Sequence, residues 1–423
     1  MAGITRRAFV KNSMAGGALL SLPFSRARGA NDTIQVGVVG LRGQGRSHIE
    51  NFHGISGVRV VALCDVDRSI LEREAKKSKD RNEKVDTYVD CRKMLEDESI
   101  DVISIATPDH WHVPLAAASI VAGKDVYVEK PISHTITEGR VLVALAHKYK
   151  RIVQHGTQSR SLEGLHEAMA YLRSGKLGKV RMAKAINSQL RGPIGRKADT
   201  ATPPHVNYDL WLGPAPKRAF NPNRFHYNWH WFWDYGTGDA GNDGVHQIDI
   251  ARWGLGVEMP KAVSCSGGQL FYQDDHETPD TQIATFEYDD VYLMFEMRLW
   301  TPYPHEGHDN GNIFYADNGR MSIGRNGWQV TFKDGQAGPG GPRGGGSHVT
   351  NFIEAVRSRR PGDLNADVEV GHCSATLCHM ANIATRVGRR LRFDTRQERF
   401  LGDAEANTYL TKPYRRGFEL PTL

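Results

Sequence analysis

Lys130 ends the run Asp125-Val-Tyr-Val-Glu-Lys-Pro131, and no other residue in the chain has a type and setting that point so directly to chemistry. Val126-Tyr127-Val128 reads as a short buried strand, and Pro131 cannot donate to a sheet ladder, so regular structure stops at Glu129-Lys130. Open α/β sheets bind ligands just outside the carboxyl ends of their strands. An ammonium group there is placed to hold an oxygen on which charge develops. An isolated Glu-Lys pair is more often a surface salt bridge, so its neighbours must decide. His246 is the second candidate. It lies three residues before Asp249 in Val245-His-Gln-Ile-Asp-Ile-Ala-Arg-Trp253, a helical pattern that sets both side chains on one face. An imidazole there can take a hydroxyl proton. A metal centre on His246 and Asp249 would lack a third ligand at convincing spacing, so no metal is expected.

The elements that would position these groups begin with the strand Thr33-Ile-Gln-Val-Gly-Val-Val-Gly40 and the turn Gly40-Leu-Arg42-Gly43-Gln44-Gly45. Glycines at these spacings let the backbone turn tightly and approach a pyrophosphate at a helix N-terminus. A second strand, Val58 to Cys64, ends at Asp65, close to the distance expected for the acid that binds an adenosine ribose. A diol suits that carboxylate and a 2′-phosphate does not, so NAD is favoured over NADP, although Arg42, Arg46 and Arg68 lie near. The third strand, Asp101 to Thr107, runs into Pro108-Asp109-His110-Trp111-His112 and a helix expected over Val113–Ala122 that stops at Gly123. This alternation predicts a parallel sheet in a domain spanning 31–155. Its expected cofactor contacts are Gly40, Arg42, Gly43, Gln44, Gly45, Asp65, Thr107, Pro108, His110, His112, Glu129 and Lys130.

Beyond His155 the pattern changes. Seven strand-like segments between Val180 and Phe332, several alternating polar with apolar residues, predict an α+β domain over 156–423 with a largely antiparallel sheet covered on one face. The glycine-rich stretch Asp334–Ser347 is expected to be a mobile surface excursion. The aromatic run Phe225 to Tyr235 is either core or an oligomer contact, and its rings beside His246 would also offer apolar faces to a pyranose. Gln158, His230, Asp234, Asp243 and Asp249 are the expected hydroxyl-binding groups of a carbohydrate substrate.

Gly40-x-x-Gly43-x-Gly45, Thr107-Pro108-x-His110-x-His112, Ala122-Gly123-Lys124-x-Val126-x-x-Glu129-Lys130-Pro131 and Gly244-Val-His246-Gln-Ile-Asp249 occur in order. Together they resemble the Gfo/Idh/MocA oxidoreductases, the glucose-fructose oxidoreductase and inositol dehydrogenase group. The likeness runs from about residue 34 to 255 and weakens toward His379-Met-Ala-Asn382. It implies an N-terminal Rossmann sheet, NAD(H), a lysine beside the nicotinamide, an often cis proline bond, and a histidine from the second domain. A secondary sugar alcohol would then lie between the nicotinamide and His246, with Lys130 on its oxygen. Relatives of the inositol dehydrogenase type carry an aspartate four residues before that histidine. Here the place holds Asn242, with Asp243 beside it, and an amide cannot take the proton a carboxylate would.

Composition suits a large two-domain enzyme: 423 residues, 39% hydrophobic, 24% charged, net charge +6. No clustered basic module indicates nucleic acid. The five cysteines show neither a disulfide framework nor zinc spacing. Residues 1–30 carry Thr5-Arg6-Arg7-Ala8-Phe9-Val10-Lys11 and an apolar stretch too short to span a bilayer, which predicts a twin-arginine signal, use of that export machinery, and a periplasmic enzyme. Export of folded cargo predicts a tightly held cofactor and a redox-neutral cycle, and a homo-oligomer is expected. Three function classes remain open: a sugar dehydrogenase or sugar–sugar oxidoreductase, a glycosidase that uses NAD transiently, and a non-catalytic binding protein of the same fold.

Overall fold

The computed structural model describes residues 33–422, so the expected export signal lies outside the described residues. The first sheet has six parallel strands in the order β3-β2-β1-β4-β5-β6. They are β1 Ile34–Val39, β2 Val58–Cys64, β3 Asp86–Tyr88, β4 Val102–Ile105, β5 Asp125–Val128 and β6 Val153–His155. The order reverses between β1 and β4, which opens a crevice at their carboxyl ends. Val102, Val126 and Val128 are wholly buried, as a parallel sheet covered on both faces requires.

Helix α1, Gln44–His53, follows β1, and α2, Arg68–Asp80, follows β2. Helix α3 runs from Asp109 to Val121, so it starts four residues earlier than the sequence suggests. Pro108 precedes its first turn, where a missing N–H costs nothing. Helix α4, Ile136–Tyr149, opens with a capping box between Thr135 and Glu138. Helices α3 and α4 cover one face of the sheet.

The other face is completed from far downstream. After α5, Glu163–Arg173, and α6, Val245–Leu255, comes α7, His348–Ser358, and its Val349, Phe352, Ile353 and Val356 pack against Val36, Val58, Val102 and Tyr127. Helix α8, Val368–Val387, adds Val368 and Ala375 to the first core and Leu377, Met380 and Ala384 to the second. Helices α7 and α8, from beyond residue 155, thus pack onto the first sheet.

The second sheet has ten strands, ordered β14-β13-β12-β11-β7-β10-β9-β8-β15-β16. Its members are β7 Val180–Ser188, β8 Ala262–Gly268, β9 Thr281–Glu287, β10 Tyr292–Arg298, β11 Asn310–Ala316, β12 Gly319–Gly324, β13 Gly327–Phe332, β14 Ala337–Gly341, β15 Leu391–Asp394 and β16 Arg399–Phe400. Only β7 and β10 pair in parallel. The expected excursion at Asp334–Ser347 is instead structured. Part of it is β14, which pairs with β13, and the rest is tied down by hydrogen bonds from Glu163 and Gly164 to the carbonyls of Gly345 and Arg343. Glycines have no side chain to announce a strand, so this one is set by its partners.

Candidate active site

A cavity of about 500 Å³ opens at the carboxyl ends of β1, β4 and β5. One wall comes from the first domain: Gly40, Arg42, Gly43, Gln44, Asp65, Thr107, Pro108, His112, Glu129 and Lys130. The glycines meet strict local demands. A Cβ at Gly45 would lie 1.7 Å from the Gly40 carbonyl oxygen, and Gly40 itself has φ of +81° against Ala106. Gly43, with φ of +44°, has nothing within 4 Å of the same position, so its backbone faces open space just before α1. Main-chain donors at a helix start beside an open, glycine-lined cradle fit a dinucleotide pyrophosphate. Asp65 accepts from the N–H groups of Leu41 and Asp67, both at 2.9 Å, and each oxygen keeps a lone pair for a ribose hydroxyl. Burial pushes its carboxyl up to about 6 despite those two bonds.

The second domain supplies the other wall through Leu210, Trp211, Phe225, His226, Tyr227, Trp229, His230 and Asn242. The two domains are also joined beside the Asp65 end of the cavity. Asp67 and Val206 form an antiparallel bridge, with Arg68 N donating to His205 O and Asn207 N to Val66 O, each at 2.9 Å.

At the opposite end the Lys130–Pro131 bond is cis, and Lys130 Nζ donates to Asn242 Oδ1 at 3.1 Å. Asn242 sits in a widened π turn, Ala240–Gly244, that leads into α6. Gly244 belongs there because a Cβ would meet the Phe295 ring at 2.5 Å. Asn242 Nδ2 donates to Asp239 Oδ1 at 2.8 Å, which fixes the amide so that its oxygen faces the lysine. Asp239 is fully buried and also holds Asn187 and Arg191; Arg191 in turn pairs with Asp243 at 3.1 Å, as does Asn310 at 3.0 Å. The negative charge therefore stands one residue behind the amide. Burial raises the Asp239 carboxyl, and the Arg191 charge opposes that. Sequence reasoning missed Asp239 and Arg191.

Glu129 is a scaffold for the lysine. Its Oε1 accepts from His48 and Gln158, both at 3.1 Å, and its Oε2 from the Lys130 N–H at 3.1 Å. Burial alone would raise this carboxyl, but the His48 hydrogen bond and the His48 and Lys130 charges hold it far below the usual range. Gln158 is thus bound to Glu129. His112 lines the cavity while its nitrogens face the carbonyls of Pro131 and Thr107, at 2.6 and 2.8 Å.

His246 lies in the first turn of α6. Burial and the Lys130 charge lower its pKa, and its Nδ1 has no hydrogen-bond partner among the described residues. Four other expected residues are placed differently. His110 is fully buried away from the cavity, its Nε2 3.0 Å from the Trp211 carbonyl and its ring against Tyr235. Asp249 is held by Arg160 at 2.8 Å and Ser374 at 2.7 Å, so it anchors α6 to its neighbours. Asp234 pairs with Arg218 at 2.7 Å outside the cavity wall. Asp243 is taken by Arg191 and Asn310, as described above. His230 does line the cavity and is 7% exposed. Within the aromatic run, Trp231, Phe232 and Tyr235 are core, whereas Tyr227 and Trp229 face the cavity.

Residues 34–157 match the oxidoreductase family model for an NAD-binding Rossmann fold, and 194–293 with 342–420 match its C-terminal alpha/beta domain. The chain belongs to the Gfo/Idh/MocA oxidoreductase family. It is 31% identical over 163 residues to glycosyl hydrolase family 109 protein 2 of Shewanella sp. (strain ANA-3), a stretch covering 33% of this chain and 36% of that protein. It is also similar in fold to the WlbA dehydrogenase of Bordetella pertussis, solved with NADH and UDP-GlcNAcA, at 18% identity and TM-score 0.65 over 86% of this chain and 99% of that one. A levoglucosan dehydrogenase solved with NADH and levoglucosan has TM-score 0.66 at 16% identity, covering 85% and 99%.

Proposed function

We propose that this protein oxidises a secondary hydroxyl of a sugar, sugar derivative or glycoside with NAD(H), and keeps its dinucleotide bound while doing so. The observation that carries this reading is the Lys130 ammonium, held by Asn242 at one end of the glycine-lined cavity. Bound NAD would supply the hydride acceptor. Gly40 to Gly45 would hold its pyrophosphate and Asp65 its adenosine ribose. Lys130 binds the substrate oxygen and stabilises charge on it, and His246 takes the hydroxyl proton. Trp229 and Tyr227 offer rings to the C–H faces of a pyranose.

A second reading is a glycosidase that oxidises, eliminates and re-reduces within one glycoside. The bridge between Asp67 and Val206 favours it, because it joins the two domains beside Asp65 and would hinder the opening that cofactor exchange needs. The glycosyl hydrolase family 109 likeness points the same way. Export by the twin-arginine route to the periplasm belongs to this proposal, since a compartment without a nicotinamide pool suits a redox-neutral cycle. A homo-oligomer belongs to it as well, with Ile283 and Tyr292 exposed on the outer face of the second sheet. No helix among the described residues is long and apolar enough to cross a membrane.

The test is product analysis across a panel of sugars and glycosides with absorbance followed at the NADH band. Turnover without added NAD and without NADH accumulation is expected. Products formed one for one with free NAD would leave an ordinary dehydrogenase. Binding of sugars with no turnover would leave a binding protein of the same fold.

A further inference from the structure

His230 has a use that hydroxyl binding does not exhaust. It lies in the 3-10 turn Asn228–Trp231, on the cavity wall that also carries Asn242, and Lys130 lines the same cavity from the first domain. Its Nδ1 is 2.5 Å from the Tyr227 carbonyl oxygen, which can only accept, so the ring proton stays on Nδ1 and Nε2 carries the lone pair. The ring is stacked on Trp229 with centroids 3.6 Å apart, and Gly236 packs so closely that a Cβ there would come within 2.7 Å of the His230 backbone. The side chain is 7% exposed, and its Nε2 has no hydrogen-bond partner among the described residues. Burial and the Lys130 charge lower its pKa to about 3, which keeps the imidazole neutral across the working pH range. A rigid, neutral imidazole of fixed tautomer thus stands beside the lysine, in addition to His246.

A simple dehydrogenase needs one proton acceptor, and the oxidation–elimination–reduction cycle needs two. In that cycle, oxidation of a ring hydroxyl sends a hydride to NAD and the hydroxyl proton to a first base. The new carbonyl acidifies the adjacent C–H. A second base takes that proton, the electron pair forms a carbon–carbon double bond, and the glycosidic C–O bond breaks as its oxygen gains a proton. Water then adds across the double bond, and hydride and proton return to the carbonyl. The sum is glycoside plus water giving free sugar plus alcohol, with NAD unchanged.

We propose that His230 is the second base: its Nε2 takes the proton from the carbon next to the oxidised one, while His246 serves the hydroxyl. This rests on the glycosidase reading above and names the residue that performs its distinctive step. Lys130, on the carbonyl oxygen, stabilises the enolate that the proton transfer creates, and that nearby negative charge strengthens His230 as a base at the moment it acts.

The experiment uses the full protein with its dinucleotide, p-nitrophenyl glycosides of the common hexoses and N-acetylhexosamines, and heavy water. Bound NADH reports the oxidation, and deuterium in the released sugar reports the C–H step. In His230→Gln and His230→Ala, NADH should still form in the first turnover. Deuterium incorporation and nitrophenol release should fall by roughly two to four powers of ten, the range for a removed acid–base group. NADH formation also confirms that each variant is folded. Deuterium uptake at the wild-type rate in a variant that forms NADH overturns the assignment. So does an equal loss of NADH formation and deuterium uptake in a variant that still binds NAD. A wild-type protein that forms NADH but takes up no deuterium overturns it too, leaving the oxidoreductase reading intact. Absence of NADH with every glycoside removes the function proposed above as well.

Discussion

The two walls of the cavity are built on different principles. The wall of the first domain is mostly backbone: glycines where a Cβ would strike a carbonyl, a helix start, and an aspartate that takes main-chain N–H groups. On the second domain's side, side chains are held by other side chains: Asn242, which meets Lys130 of the first domain, is backed by Asp239, Arg191 and Asp243. Backbone sites bind a ligand common to many proteins and tolerate little change. Networks of side chains can be retuned one member at a time, which suits the half that must recognise a particular substrate.

Removing Lys130, where the two walls meet, or His246, in the first turn of α6 and outside the residues that line the cavity, should harm chemistry and spare cofactor binding. Lys130→Ala and His246→Ala should each lower turnover by roughly two to four powers of ten while NAD still binds, checked by steady-state kinetics and calorimetry. Near wild-type rates in both folded variants would break the division between the walls. The converse probe is Gly45→Ala. Its Cβ would sit 1.7 Å from the Gly40 oxygen, so the turn must move. A loss of about 3 kcal/mol in denaturant unfolding, with dinucleotide binding abolished, is expected. Retained binding would show the turn to be softer than its packing suggests.

Asp109 ties the two domains together: its Oδ2 accepts from Thr237 of the second domain at 2.7 Å while Oδ1 has no partner among the described residues. Burial pushes its carboxyl from 3.8 to about 6. The folded protein therefore keeps a proton that the unfolded chain releases, and stability should fall as pH rises from about 4 to 6 and then level off. The shift corresponds to about 3 kcal/mol, on the order of 1.4 per unit. Asp109→Asn should make that fall shallower, leaving the share of Asp65, whose carboxyl burial also pushes up to about 6; an unchanged slope would assign all of it to other groups. The smallest effect is expected from Asn242→Asp. It places a carboxylate against Lys130 and beside Asp239, and should shift the pH profile of turnover. A profile identical to wild type would mean that Asn242 only positions the lysine.

What the sequence disclosed follows the same division. The Gly40–Gly45 turn and the Glu129-Lys130-Pro131 strand end are legible because their demands are local: a glycine where the backbone turns, a proline where a ladder stops. The parallel and antiparallel sheets are legible from alternation. Within Pro108-Asp-His-Trp-His112 the sequence could not separate His112, on the cavity wall, from His110, turned away from it, because α3 is buried on every side and has no polar face to orient it. Asp234 and Asp249 look like substrate ligands until Arg218 and Arg160 are seen to hold them, and Arg160 comes from 89 positions away. Asp239 gains its place from a π turn whose glycines yield to Thr237 and Phe295, a packing demand that no local pattern announces.

The helix that returns from residues 348–358 has a consequence for how the protein is made. Phe352 and Ile353 are fully buried against strands that leave the ribosome more than two hundred residues earlier. Until they emerge, that side of the first sheet is covered only in part, by Ile49 and Phe52 of α1 and Ile70 and Leu71 of α2. The core of the dinucleotide half is therefore completed only when that helix has been made, although its strands come first in the chain. A fragment stopped after residue 155 would carry the residues of the nucleotide site on a sheet whose one side lacks the cover of Val349, Phe352, Ile353 and Val356.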